Sequence, residues 1–174
     1  MHIIYRVNYM HYKKYSIVCF FFILITGTLL HFTYEWSGGN TLVSYFSAVN
    51  ESVWEHLKLI YWPALVFSLY EYYMYGKERC DFFAIKSASV LAGLLFTVTF
   101  FYTYSGILGF NFFIADILTF ILADFLCCYV SYRLLEYDVS AGMSDSLKGI
   151  AVLVLLAVCF IIWTANPPQW GIFL

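Results

Sequence analysis

Asn50-Glu51-Ser52-Val53-Trp54-Glu55-His56-Leu57-Lys58-Leu59-Ile60-Tyr61-Trp62-Pro63 sets two acids, an imidazole and a lysine within about two helical turns. The chain as a whole is 11% charged, so this concentration marks a place apart. The stretch begins as a helix should. Asn50 suits an N-cap, and Ser52-Val-Trp-Glu55 fits a capping box. It then runs apolar to about Tyr75 with Pro63 inside it. Proline removes one backbone hydrogen bond and crowds the carbonyl four residues back, that of Leu59. A kink is expected there, with a released carbonyl.

The surroundings of this helix decide the class. Of 174 residues, 63% are apolar and 22% aromatic, against roughly 45–50% apolar in a soluble domain. There is too little polar surface to clothe a globule in water. The sequence therefore predicts an all-α, polytopic membrane helix bundle occupying residues 1–174 as a single integral membrane domain. Five spans are expected, at about 15–36, 50–75, 82–104, 111–132 and 149–164.

Outside the spans the segments are short. Residues 1–14 carry Arg6, Lys13 and Lys14 among tyrosines, a composition suited to a headgroup-level arm. His2 and His11 belong to that arm rather than to a metal site. The first apolar run exceeds a signal-peptide core and lacks a small-x-small cleavage site, so it reads as a retained span. Residues 41–49 are half polar and too short to cross, which predicts a short interfacial or re-entrant segment before the second span. Residues 133–148 form a polar loop, and Asn166-Pro-Pro stops the last helix. Five cysteines without a CxxC argue against a disulfide framework, and Cys127-Cys128 reads as packing. A net charge of −2 gives no sign of a nucleic-acid partner.

Orientation follows from the basic residues. With five spans, Arg6, Lys13, Lys14, Lys77, Arg79, Lys86, Arg133 and Lys148 share the side of the N-terminus, and Lys58 stands against them. The positive-inside rule then sets the N-terminus in the cytoplasm and the C-terminus outside, in a cell membrane.

Alternation of the spans brings polar groups to the outer end: His31 and Glu35; Glu51, Glu55, His56 and Lys58; Asn111 and Asp116. Charges at membrane depth cost roughly 2.5–3.5 kcal/mol each on insertion scales, so they are expected to face inward and pair around an outward-facing polar pocket. His31 and Glu35, spaced i, i+4, share a helix face. With His56 and Asp116 they are the expected ligands of a divalent metal such as zinc. Glu51, Glu55, His56 and Lys58 are the expected catalytic groups, as base, ligands or anion stabiliser. Asn50, Trp54, Asn111 and the mid-span Asp124 are expected to bind substrate. Two plainer explanations stand beside this: a polar network without metal, and a helix start at the water interface favoured by its dipole.

His31-x-x-x-Glu35-Trp36-Ser37-Gly38, Asn40, and Phe46 through Lys58 with Pro63 together resemble a family of small bacterial multi-pass membrane proteins of unknown function. The family pattern has Pro where this chain has Ala48. It ends in Pro-Pro, then Pro-Leu-Phe and an acid, where this chain has Gly171-Ile172-Phe173-Leu174. The resemblance implies the membrane class and no activity. The function expected from the residues is a metal-dependent membrane hydrolase or lipid-modifying enzyme acting on a lipid or small molecule. A solute-binding component or transporter using Asp124 is the first alternative, and a scaffold or partner-binding subunit the second. Oligomeric state is not encoded in any of these patterns.

Overall fold

Local chemistry sets where the helices begin and end. The computed structural model describes residues 2–137 and 142–173, with side chains from residue 12 onward. It has six α-helices: α1 (His2–Trp36), α2 (Thr41–Ser44), α3 (Val53–Met74), α4 (Phe82–Leu108), α5 (Phe113–Glu136) and α6 (Met143–Ala165), with 3₁₀ turns at Gly76–Glu78 and Gly171–Phe173. Most of the described residues are helical. Asn40 caps α2 by accepting from Leu42 N at 2.8 Å. α4 stops at Gly109, whose φ of 77° is left-handed backbone that suits glycine.

Four helices are long and apolar enough to cross a membrane: α1, α4, α5 and α6. This is a multi-pass helical membrane protein. α3 is the fifth long helix. Its 22 residues would reach about 33 Å, but with Glu55, His56, Lys58, Glu71 and several tyrosines along it, it is not among those four. It lies buried along most of its length, against α1 and α4. α4 also packs on α5 and α6, and α1 on α5. A helix that carries charge through such a bundle is protected by its neighbours instead of facing lipid.

Several boundaries differ from those read in the sequence. α3 begins at Val53, capped by Ser52, whose hydroxyl accepts from Glu55 N at 3.4 Å. Asn50 acts two residues earlier, holding Ser52 N in a turn at 2.9 Å. α4 extends four residues further, α5 starts two later, and α6 starts at Met143. The basic arm continues α1 as helix from His2, but the side chains of His2 and His11 lie outside the described residues, as does Asp138 in the polar loop.

Close helix approach depends on two glycines. A Cβ at Gly27 of α1 would stand 2.5 Å from the Leu59 carbonyl oxygen and 2.7 Å from Phe120. That carbonyl is the one Pro63 deprives of its partner, so α1 closes over the defect in α3. Gly149 similarly lets α6 lie on the Phe83 carbonyl of α4. No disulfide is formed among the described residues, and Cys127 and Cys128 are buried.

The buried lysines and Arg79 are paired with acids. Near the end of α3 remote from Glu55, Lys86 Nζ is 2.5 Å from Glu71 and donates to Ser131 Oγ at 2.7 Å. At the same end Arg79 meets Asp81 at 2.7 Å and donates to the Leu135 carbonyl.

Candidate metal centre

The opposite end of the bundle gathers the C-terminus of α1, the segment 41–52, the start of α3, the α4–α5 turn and the C-terminal end of α6. Ser47 fixes the first two together. It is fully buried, accepts from Tyr34 N and the Thr33 hydroxyl at 3.0 Å each, and donates to the Leu30 carbonyl. Tyr34 N and Leu30 O are partners in a regular helix, so the hydroxyl enters the backbone ladder in the turn that carries His31.

The charges between Glu51 and Lys58 separate into two groups with different fates. Glu55 and Lys58 form the first. Their ion pair measures 2.6 Å, with side chains 3% and 0% exposed. Lys58 Nζ also donates to the Ser44 carbonyl at 2.7 Å and to Thr164 Oγ1 at 3.0 Å, which uses all three of its N–H bonds. Thr164 donates to Glu55 Oε1 at 3.1 Å, and Glu55 Oε2 accepts from Val49 N at 2.9 Å. The Glu55 carboxylate thus reaches Val49 rather than completing the capping box at Ser52. The network binds α3, α6 and the 41–52 segment into one unit, helped by Trp62 Nε1 donating to Tyr45 O at 3.0 Å. Neither charge has a donor or acceptor left to offer an incoming molecule.

His31, Glu51 and His56 form the second group. Among the described residues they are the one set of three whose ligand atoms all lie within 4.8 Å of one another. The His31 and His56 rings are 5.1 Å apart at 62°. His56 Nδ1 lies 2.9 Å from the Ser52 carbonyl. A carbonyl can only accept, so Nδ1 carries the hydrogen. In a neutral ring Nε2 then presents a lone pair, and it faces Glu51 Oε2 at 3.4 Å. Two acceptors do not stand that close without a positive charge between them, either a proton on the ring or a cation. His31 Nδ1 is buried and has no hydrogen-bond partner. Glu51 is 83% exposed at its side chain and has the freedom to close the set. Two zinc ligands stand at most about 4.2 Å apart, so a small rotation suffices.

The other expected ligands lie elsewhere. Glu35 is exposed and outside the trio. Asp116 accepts from the Tyr104 hydroxyl and is likewise outside it. Trp54 is buried against Phe160, Trp163 and Phe173, with centroids 4.7, 4.9 and 5.0 Å away, which makes it a core residue. Asn50 serves its turn. Asp124 is fully buried, takes the Cys128 thiol at Oδ1 (3.5 Å), and has no partner at Oδ2. Asn111 is exposed and, with Glu51, lines an open groove of about 410 Å³ between the start of α3 and the end of α4. Thr164 and Ser47 hold the site together and carry no signal in the sequence; an isolated hydroxyl gives no pattern to read.

A family model described as a family of unknown function, DUF6512, matches residues 4–174. The chain belongs to that family. No curated protein and no solved structure shows significant similarity to it.

Proposed function

We propose that this member of a family of unknown function is a metal-dependent membrane hydrolase whose ion is held by His31, Glu51 and His56. One observation carries the proposal: His56 Nε2 faces a Glu51 carboxylate oxygen 3.4 Å away, with a second imidazole beside them whose buried Nδ1 has no partner. Two histidines and a carboxylate, with the fourth position open, are the donor set of hydrolytic zinc sites. The Ser52 carbonyl plays the supporting role that such sites require, fixing the tautomer of His56. Zinc would lower the pKa of a water at the open position to about 7 and turn it into a nucleophile.

The orientation belongs to the same proposal. Eight of the nine basic residues, all but Lys58, lie toward the N-terminal end of the bundle, so the site faces outward and the N-terminus lies in the cytoplasm. Lys58 has no part in the chemistry beyond shaping the site, since its ammonium is fully engaged.

Elemental analysis of the purified protein tests this directly. About one zinc per chain is expected for wild type, and none for His56→Ala that still purifies as a folded species. A metal-free wild type that stays metal-free after incubation with zinc would end the proposal. A second function, solute binding or transport, is supported by Asp124, fully buried with an unpartnered oxygen. It predicts that Asp124→Asn alters a bound solute and leaves zinc content alone.

A further inference from the structure

We infer that the groove beside Glu51 takes an uncharged acyl amphiphile, such as a monoacylglycerol, in preference to a phospholipid. The inference rests on the metal centre proposed above and names its substrate class.

Glu51 belongs both to the imidazole trio and to the groove wall, so the groove and the centre share one carboxylate. The volume of about 410 Å³ falls within the range of small-molecule sites. The lining is mixed. Phe101, Tyr102 and Phe110 offer hydrocarbon contact, while Ser105 and Asn111 offer hydrogen bonds. Among the described residues, Glu51 is the one charge in that lining, and it is negative. A phosphate brought there would meet no cation from the protein wall. The one lysine at this end of the bundle, Lys58, is fully buried and has spent its three N–H bonds. Without the ion, the protein wall offers an anionic head no partner, whereas hydroxyls and a carbonyl suit Ser105 and Asn111.

The α4–α5 turn, whose Phe110 lines the groove, also favours a molecule with a long chain. Ile107 and Phe113, on either side of the α4–α5 turn, are 79% and 76% exposed, and Phe110 between them is 62% exposed. Apolar side chains left open at the end of membrane-crossing helices face the acyl region, which gives a chain lateral entry. The reaction then balances as ester hydrolysis. A water oxygen would bond to the acyl carbon, the acyl C–O bond to glycerol would break, and the water's proton would pass to the departing glycerol oxygen, with the ion held by His31, Glu51 and His56 supplying the activation. The products are a fatty acid and glycerol.

The test uses full-length protein in nanodiscs and a fluorescent-chain monoacylglycerol, with the same chain as lysophosphatidate for comparison. In the chelated, metal-free protein the neutral probe is expected to bind about tenfold or more tightly than the anionic one. Ser105→Phe, which fills the groove, should weaken it about tenfold, and Phe110→Ala, an exposed change that leaves the fold alone, by several-fold. Equal affinity for the two probes, or unchanged binding in both variants, overturns the inference. Chelation separates it from the metal proposal. Binding that survives chelation while hydrolysis is lost supports both. Selective binding by a protein that never takes up zinc removes the metal alone, and zinc uptake without selectivity removes the groove alone.

Discussion

Two polar groups less than two turns apart at the start of α3 behave as opposites. Glu55 and Lys58 are sealed from solvent, and their hydrogen-bonding groups are matched, through Ser44, Val49 and Thr164. His56 and Glu51, with His31 across from them, are partly open: His56 Nε2 faces Glu51 at 3.4 Å, and His31 Nδ1 has no hydrogen-bond partner. The difference shows how to sort charges in a membrane bundle. A buried pair with every bond made stabilises one arrangement of helices. An exposed carboxylate beside two imidazoles, one with an unpartnered ring nitrogen, keeps capacity that a ligand can use. The Glu71–Lys86 pair at the other end belongs with the sealed kind.

The contrast can be broken most forcefully at Lys58. Lys58→Met leaves Glu55 buried without its partner and should cost about 3–5 kcal/mol, read as a lowered unfolding midpoint in detergent. Adding Glu55→Gln should recover most of the loss. A single mutant as stable as wild type would mean that the pair holds nothing together.

A smaller effect is expected at Gly27. Gly27→Ala forces α1 away from the Leu59 carbonyl and should cost about 1–3 kcal/mol. Because His31 lies one turn further along α1, zinc affinity should fall as well. A change in stability without a change in affinity would show that the two histidines are not positioned by this contact.

Loss of a ligand should do the reverse. His56→Ala is expected to lower stability by about 1 kcal/mol or less while zinc uptake disappears. A large stability loss, with zinc retained, would move His56 into the sealed class.

The mildest substitution for the fold is Glu51→Gln. At an 83% exposed side chain it should shift stability by no more than about 0.5 kcal/mol. It should weaken zinc binding about tenfold or more, measured by competition with a chelator.

Much of this arrangement is legible in the residues themselves. The apolar runs locate the long helices because their length and composition have no other stable solution in water or lipid. The polar stretch at 50–58 stands out because charge is rare in such a chain. Alternation of the spans brings His31 and His56 to the same end. Which acid meets them is not legible. Glu35 shares a helix face with His31, and Asp116 shares its depth, but neither joins the cluster. Glu51 does, because Ser52 rather than Asn50 starts α3 and leaves Glu51 outside the helix, turned toward His56.

Hydropathy, period and local hydrogen bonding each act over a few residues. They suffice to specify a helical membrane protein, the end of the bundle where the polar groups collect, and the helix starts with their caps. Only the assembled bundle settles that Glu55 and Lys58 close on Thr164, 106 residues beyond the lysine, and that Glu51 remains free beside two imidazoles. Such outcomes depend on which helices touch and in what rotation, and on whether a distant hydroxyl arrives to satisfy a charge. No spacing within one segment encodes that.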